Sequence, residues 1–299
     1  MTSHFADRLI EAIARKGSPV CVGLDPAVEK LPPALAPPAE ADDQARLVAI
    51  EQFCLQVLEI VEPIVPAVKP QSAYFEAYGA SGLEVYFRLT AQARRMGLVV
   101  IGDVKRGDIG PTAGAYAQGH LGRGDCPDSI TVNPYFGEEG ITPFAQQARR
   151  SGRGIFVLVR TSNPSAAELQ DYPGKDGSLF YEHIARCVAH LGDDGTLIGS
   201  SGFSLVGAVV AATYPRQARR LRELMPRQIF LVPGYGAQGA SAGDCACAFK
   251  TDGTGAIVNA SRSVIFAYQG DKYADLDWKQ AVKSACTEFA REVRQAVNA

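Results

Sequence analysis

The chain has 299 residues, of which 46% are hydrophobic and 21% are charged, so it can bury the core of a large domain such as an α/β barrel. Its 30 Lys and Arg residues nearly balance its 32 Asp and Glu residues, and the net charge of -2 gives no reason to expect nucleic acid or an anionic membrane as a partner. Any affinity for an anion must therefore come from a local site.

The first residues, MTSHFADRLIEAIARKG, form an amphipathic pattern that predicts a helix rather than a signal peptide. No apolar run approaches the ~20 residues needed to span a bilayer. The 7 cysteines are odd in number and their spacings form no disulfide framework. Cys245 and Cys247 form a lone C-x-C pair with no His nearby, which indicates buried thiols rather than a metal site. Because free thiols fit a reducing compartment, we expect a cytoplasmic protein.

Short apolar runs recur along the chain, each followed by Gly, Pro or polar residues. They are continuous rather than alternating, as strands buried on both faces should be, and helical patterns such as 81–97 lie between them. In chain order the runs cover 19–25, 65–70, 98–105, 129–134, 154–160, 205–213, 228–234 and 255–261. We expect these βα units to form a single domain over 1–299, a closed (β/α)₈ TIM barrel, with an open doubly wound sheet as the main alternative.

Two connections are longer than usual for this architecture. The segment after the first strand, 26–60, predicts an extra helix from about Asp42 to Val61. The segment after the fifth strand, 163–204, predicts a helix around His183 to Leu191. Long segments in α/β folds usually decorate the barrel or cover its active site.

The third run continues into IGDVKRGDIGPTA (101–113), which concentrates charge at a strand end. Asp103 and Lys105 are two residues apart and should point the same way, into the mouth of the barrel. A turn after them should return Asp108 toward the same space, and Lys69 ends the preceding strand. We therefore expect an array of these four residues that alternates in sign.

Such an array favours a particular chemistry. A Lys held between carboxylates stays charged, so it is a poor amine nucleophile and a good proton donor. This argues against a Schiff-base aldolase, which needs a neutral Lys. It suits a reaction that builds negative charge on carbon and then protonates that carbon. The alternative is a solvated network of ion pairs in a loop.

The same segment resembles the signature of the orotidine 5'-phosphate decarboxylase family, D-x-K-x-x-D-I-x-x-T after an apolar pair. Other segments match the family in the family's order, and the resemblance spans nearly the whole chain. They are GLDP (23–26), VKPQSAYFEAYG (68–79), TSNPSA (161–166), VPGYGAQGA (232–240) and NASRSV (259–264). The long segment after the first strand, the KPQSAYFE box and VGAVVAATYP are similar to the longer bacterial branch of the family.

The resemblance implies a reaction and its central residues. Members of the family decarboxylate orotidine 5'-monophosphate to UMP in de novo pyrimidine biosynthesis, without a metal or an organic cofactor. Lys105 matches the Lys that stabilises a carbanion-like state at C6 and protonates it. Asp103 matches the Asp near the substrate carboxylate. The role that we assign to it, rather than repulsion of the substrate, is to keep Lys105 charged and correctly oriented. Lys69 matches a Lys that binds ribose and completes the charge network, and Asp25 matches an acceptor of a ribose hydroxyl.

The resemblance also implies a homodimer and a phosphate site. Asp108 and Thr112 match residues that reach into the neighbouring subunit's site. Gln238 and Arg262 match phosphate ligands in the loops after the last two strands, where barrels commonly bind phosphate. Alone, GYGAQGA would be an ordinary Gly-rich turn. Ser261 departs from the family, because many members have Gly at this position.

The sequence also suggests roles for one serine and for the four histidines. Ser162 matches a Ser that reads the pyrimidine edge; the alternative is a helix N-cap before Pro164, and both roles are compatible in this stretch. The four histidines lie away from the strand ends, in apparent helices or loops, so we expect solvated or structural roles for them: His4, His120, His183 and His190.

Two other functions remain open. One is a Mg²⁺-dependent sugar-phosphate enzyme of the same barrel superfamily, which shares the D-x-K-x-x-D strand end; the DIGPT ending and the VKP box disfavour it. The other is a nucleotide-binding regulatory barrel without turnover, which the full charge array disfavours.

Overall fold

Parallel strands pair in chain order and close into a barrel in the computed structural model, which describes residues 4–299. The strands are β1 Val20–Leu24, β2 Ala67–Pro70, β3 Val99–Arg106, β4 Ser129–Val132, β5 Gly154–Arg160, β6 Val206–Val210, β7 Phe230–Val232 and β8 Ala256–Ala260. β1 pairs with β8 through Val20 and Val258, which closes the sheet. The predicted (β/α)₈ barrel is confirmed, and the open doubly wound sheet is wrong.

Helices surround the barrel and connect its strands. They are α1 Phe5–Lys16, α2 Asp43–Val61, α3 Ala73–Glu76, α4 Gly79–Arg95, α5 Gly110–Leu121, α6 Gly137–Ser151, α7 Ala166–Gln170, α8 Phe180–Gly192, α9 Pro215–Leu224, α10 Ala242–Ala246, α11 Arg262–Ile265 and α12 Trp278–Val297. Short 3₁₀ turns lie at Val28–Lys30, Gly195–Leu197, Ala267–Gln269 and Asp271–Tyr273. Every helix over residues 4–299 is too short or too polar to cross a bilayer.

The interior of the barrel is a cluster of buried apolar residues that α1 closes at one end. Cys21, Ile101, Phe156 and Ile257 belong to this cluster with Phe5 of α1. The rings of Phe5 and Phe156 meet edge to face at 5.8 Å between centroids. Within the described residues α1 covers the amino ends of the strands, so we expect the site at their carboxyl ends, where barrels of this kind usually place it.

The predicted helices in the long connections are confirmed, with small differences at their ends. α2 begins one residue after Asp42, whose side chain caps it by accepting a 2.8 Å hydrogen bond from the Ala45 amide. α8 extends the helix predicted around His183 to Leu191, and α4 begins two residues before the helix predicted over 81–97 and ends two residues before its end. The predicted helix at the start is α1, while residues 1–3 lie outside the described residues.

The cysteines and histidines are placed mostly as expected. All cysteines are free thiols, but only Cys245 of the C-x-C pair is buried; Cys247 is half-buried, because it follows the last turn of a short surface helix. His4 bonds the Leu197 carbonyl oxygen at 3.0 Å, and His120 is a buried residue in the last turn of α5.

Candidate active site

A cavity of about 590 Å³ opens at the carboxyl ends of the strands. All eight strands or the loops that directly follow them contribute to its wall. Among the lining residues are Asp25, Lys69, Asp103, Lys105, Thr131, Ser162, Val209, Leu231, Gln238, Asn259 and Arg262. The cavity therefore brings together seven residues that the sequence singled out. Within the described residues, no histidine lines it.

The buried carboxylate of Asp103 is the centre of the charge array. Its Oδ2 accepts hydrogen bonds from Lys69 Nζ at 2.7 Å and from Gln71 Nε2 at 3.0 Å. Its Oδ1 accepts hydrogen bonds from Lys105 Nζ at 2.5 Å and from Thr131 Oγ1 at 3.0 Å. Two of these four donors are ammonium groups, so the ionised carboxylate is strongly favoured.

Asp103 and Lys69 shift each other's pKa values. Burial alone would raise the pKa of Asp103, but the charges and hydrogen bonds of Lys69 and Lys105 hold it well below its usual range. Burial alone would lower the pKa of Lys69, but the charges of Asp103 and Asp25 raise it above its usual range. We call Lys69, Asp103 and Lys105 the ion triad; the shifted pKa values keep Lys69 and Asp103 charged at neutral pH.

The two lysines differ in their freedom. Lys69 is only 6% exposed and is held between β1 and β3. The Lys105 side chain is 47% exposed and stands at the edge of the cavity. Lys105 is thus the ammonium group that a molecule in the cavity can reach.

The backbone at Lys105 is unusual. Its φ is +45°, the left-handed region, and among the described residues other than Gly no other φ is positive. The pairing of β3 with β4 shifts register between Gly102 and Arg106. The Lys105 amide donates to Thr131 Oγ1 at 2.9 Å, which replaces a regular ladder bond. Asp103 and Lys105 do meet, but through this irregularity rather than through simple strand alternation.

Asp108 and Thr112 lie outside the cavity of their own chain. Neither is among the residues that line it. The Asp108 carboxylate accepts a 2.8 Å hydrogen bond from the Ile109 amide, and Thr112 is exposed in the first turn of α5. A single chain therefore does not form the array of four residues that the sequence predicts; it forms the ion triad, and Asp108 lies half-buried on the loop after β3, outside the cavity lining.

The wall formed by the loops after β7 and β8 is rich in backbone turns and carries a free cation. Gly234 has φ of +116° and Gly236 has φ of +68°, which only Gly adopts without strain. Tyr235 between them donates a 2.6 Å hydrogen bond to Glu292 of α12, which ties the loop to the barrel. Within residues 4–299, Arg262 has neither an ion pair nor a hydrogen bond from its side chain. This wall can therefore take an anion.

The opposite wall is the turn after β5. Thr161, Ser162 and Asn163 all line the cavity. α7 begins at Ala166 and its N-cap is Ser165, whose side chain makes no capping bond. The N-cap interpretation of Ser162 is therefore wrong.

Sequence reasoning missed several polar residues of the site, among them Gln71, Thr131 and Asn259. Gln71 and Thr131 both donate to Asp103, and Asn259 lines the cavity at the end of β8. Each had a signal: Gln71 is two residues after Lys69 and so on the same face of its strand, while Thr131 and Asn259 interrupt apolar runs. Buried polar side chains in otherwise apolar strands usually have a partner to satisfy.

The chain is similar to known proteins in both sequence and structure. A family model described as "Orotidine 5'-phosphate decarboxylase / HUMPS family" matches residues 18–275. Orotidine 5'-phosphate decarboxylase of Rhodopirellula baltica is 40% identical and the match covers 97% of this chain and 99% of that protein. The enzyme of that name from Deinococcus radiodurans is 45% identical over 89% of this chain and 91% of its own. The crystal structure of a protein from Streptomyces avermitilis, described as a putative orotidine 5'-phosphate decarboxylase, superposes with a TM-score of 0.80 at 34% identity, covering 99% of this chain and 97% of that one.

Proposed function

Because the chain belongs to the orotidine 5'-phosphate decarboxylase / HUMPS family, we propose that it decarboxylates orotidine 5'-monophosphate to UMP in de novo pyrimidine biosynthesis. The observation that carries the proposal is the ion triad: one buried carboxylate with an ammonium group on each of its oxygens, at the bottom of a cavity with an anion-binding wall. We further propose that the enzyme works as a single-domain barrel in the cytoplasm, where its free thiols fit a reducing compartment.

The substrate lies across the cavity in this proposal. Its phosphate meets Gln238 and Arg262, and its pyrimidine meets Ser162 on the opposite wall. Asp25 and Lys69 lie between these walls and bind the ribose. The Asp25 Oδ1 atom is buried and, within residues 4–299, has no hydrogen-bond partner, which supports its role as an acceptor for a ribose hydroxyl.

The chemical step uses the ammonium of Lys105. The bond between C6 and the carboxylate carbon breaks, carbon dioxide leaves, and the electron pair stays on C6. The ammonium stabilises this negative charge as it develops, because it is oriented before the reaction and is not rearranged during it. It then donates its proton to C6 to give UMP, and solvent returns a proton to the amine. No step requires a metal or an organic cofactor.

Asp103 keeps this proton donor charged and aimed. With both oxygens already bonded to ammonium groups, it orients Lys105 and holds it in the donor form. A carboxylate that ligates Mg²⁺ would not have an ammonium group bonded to each of its oxygens. The arrangement at Asp103 therefore supports the decarboxylase over the Mg²⁺-dependent sugar-phosphate enzyme.

A homodimer with shared sites is also part of the proposal. Asp108 and Thr112 lie on the outside of the chain, where they can enter a neighbour's cavity. The loops beside them expose large apolar side chains, Ile109, Tyr135 and Phe136, which is typical of a surface that another protein covers. A two-fold dimer would bury this surface and exchange the two polar residues between sites.

The experiment is to incubate the purified protein with orotidine 5'-monophosphate, with and without EDTA, and to follow UMP formation by absorbance. We expect equal turnover in both arms. Loss of activity in EDTA would favour the Mg²⁺-dependent enzyme. Binding of the nucleotide without any product would favour the regulatory barrel.

A further inference from the structure

Arg160, the last residue of β5, is a fully buried cation that the proposed mechanism does not use. One of its terminal nitrogens lies 2.9 Å from Asp171 Oδ1 and the other donates to Oδ2 at 3.2 Å. Its guanidinium also lies over two aromatic rings, 3.9 Å from the centroid of Tyr214 and 5.3 Å from that of Tyr181. A cation is costly to bury away from water, and these contacts offset part of that cost.

The next residue of the chain is fastened to the same place. The Thr161 amide donates to Gln170 Oε1 at 3.0 Å, and Gln170 Nε2 donates to Thr161 Oγ1 at 2.7 Å. Gln170 Oε1 also accepts a 3.4 Å hydrogen bond from Arg160. We call the group of Arg160, Thr161, Gln170 and Asp171 the Arg160 clamp.

The Arg160 clamp closes a short loop. Its two halves are ten residues apart in sequence, and the segment between them begins with the turn of Ser162 and Asn163. That turn is the part of the segment that lines the cavity with Thr161. Fastening both ends of the loop restricts the conformations of the turn before any ligand arrives. A ligand that contacts the turn then loses less conformational entropy on binding.

We propose that Arg160 is a positioning residue for the pyrimidine wall: through Asp171 and Gln170 it holds the turn of Ser162 and Asn163 in the shape that receives the base. This inference rests on the proposed function, since it assumes that a nucleotide occupies the cavity. Arg160 itself does not line the cavity, so it acts only through the turn.

The test compares two ligands that differ in the base. Asp171→Asn removes the charge that holds Arg160 and keeps the size of the side chain. We expect its Kd for UMP, measured by titration calorimetry, to rise about tenfold, since two side chains must be ordered on binding. We expect its Kd for ribose 5-phosphate, which has no base, to stay within about twofold of wild type, because the phosphate and ribose contacts lie on other strands.

Asp176→Asn is the matched control. Asp176 is an exposed carboxylate of the same connection and accepts hydrogen bonds from Ser178 rather than from the strand. It should leave both Kd values unchanged. Thermal unfolding of both variants checks that Asp171→Asn remains folded at the temperature of the titration.

A double variant tests whether Asp171→Asn weakens UMP binding through the turn of Ser162 and Asn163 or in another way. In a Ser162→Ala background, Asp171→Asn should weaken UMP binding by clearly less than it does in wild type, because part of the contact that it positions is already gone. Three outcomes would overturn the inference. The first two are an Asp171→Asn variant whose Kd for UMP is unchanged, and one whose affinity for UMP and for ribose 5-phosphate falls equally. The third is a double variant whose loss of UMP affinity is the full product of the losses in the two single variants. A wild-type protein that binds UMP but forms no product from orotidine 5'-monophosphate would instead count against the proposed function alone.

Discussion

Lys105 donates a 2.5 Å hydrogen bond to Asp103 Oδ1, and the backbone of Lys105 has a φ of +45°. In a regular strand the side chains of residues 103 and 105 would lie on the same face; here the backbone at residue 105 is left-handed, and from it the side chain reaches the Asp103 carboxylate. Such a conformation costs of order 1 kcal/mol or more for a residue with a Cβ. The hydrogen bonds to Asp103 and Thr131 offset that cost. Strain at this residue is therefore part of how the site is built.

Replacing Lys105 by Ala should abolish decarboxylation while the protein stays folded. One ammonium both stabilises the negative charge at C6 and supplies the proton, so nothing else in the ion triad can replace it. Turnover of orotidine 5'-monophosphate is measured by absorbance, and thermal unfolding is the control for folding. Activity within about tenfold of wild type would remove Lys105 from the proposed mechanism.

The strain at the same position can be measured separately from activity. Lys105→Gly should be more stable than Lys105→Ala by about 1 kcal/mol, because Gly adopts a positive φ without a steric penalty. Urea unfolding of the two variants gives the difference. At Arg106, whose φ is not positive, the same pair of substitutions should differ in the opposite direction. Equal stabilities at position 105 would mean that the backbone there is not strained.

Arg262→Ala should weaken binding of UMP far more than Arg88→Ala. Arg262 lines the cavity and, over residues 4–299, its side chain is unpaired, whereas Arg88 forms an ion pair with Glu51 on the outer helices. A phosphate contact covered by the ligand should cost about 2 to 5 kcal/mol to remove, while an exposed ion pair contributes little. Calorimetric titration with UMP compares the two. Similar losses in both variants would refute the phosphate assignment.

The folded protein should lose stability when the pH falls from 7 to 5, in part through His120. Burial, reinforced by the positive charge of Arg106, lowers the pKa of His120 to about 4, below the value of about 6.5 in an unfolded chain. Between these values the unfolded state binds more protons, so acid favours unfolding. The expected loss from this residue is about 2 kcal/mol between pH 7 and pH 5.

His120→Gln isolates this contribution, since it removes the titrating ring and keeps a polar side chain. Urea unfolding of the variant at the two pH values should show a drop in stability that is smaller by about 2 kcal/mol. His190→Gln, on α8, is the control for removing a histidine elsewhere in the chain. An identical drop in His120→Gln and wild type would show that His120 does not titrate in this window.

Lys105 and Asp108 should serve different sites of one dimer. Lys105→Ala and Asp108→Ala are each expected to be inactive. A heterodimer of the two has one site with the intact Lys105 of one chain and the intact Asp108 of the other, while its second site carries both defects. An equal mixture forms about half heterodimer, each with one good site of two, so roughly a quarter of wild-type activity should return.

The measurement needs a mixture that exchanges subunits, which a tagged copy of one variant demonstrates by co-purification. Activity is then followed as the two variants equilibrate. If Asp108 served its own chain's cavity, every site would keep a defect. A mixture that exchanges subunits and stays inactive would thus leave Asp108 as a residue of a single chain.

The architecture was predictable because its signals are local. A strand covered on both faces must be apolar at every position, so eight continuous apolar runs identified the eight strands, and the breaks between them located the loops. Asp103 and Lys105 were recognisable for the same reason, since two residues separated by one position share the end of one strand. The family resemblance rests on such short segments too.

The tertiary structure alone decided which polar atoms meet. Gln71 and Thr131 come from the strands on either side of Asp103 and complete its hydrogen bonds. Their contact depends on the register between β2, β3 and β4, which is set by packing around the whole barrel. The local pattern did not show that Asp108 lies outside the cavity of its own chain, because a turn after a strand end can point inward or outward at similar local cost; only the family resemblance indicated it. Local patterns specify which segments form strands, whereas contacts between residues far apart in the chain depend on how all the strands pack together.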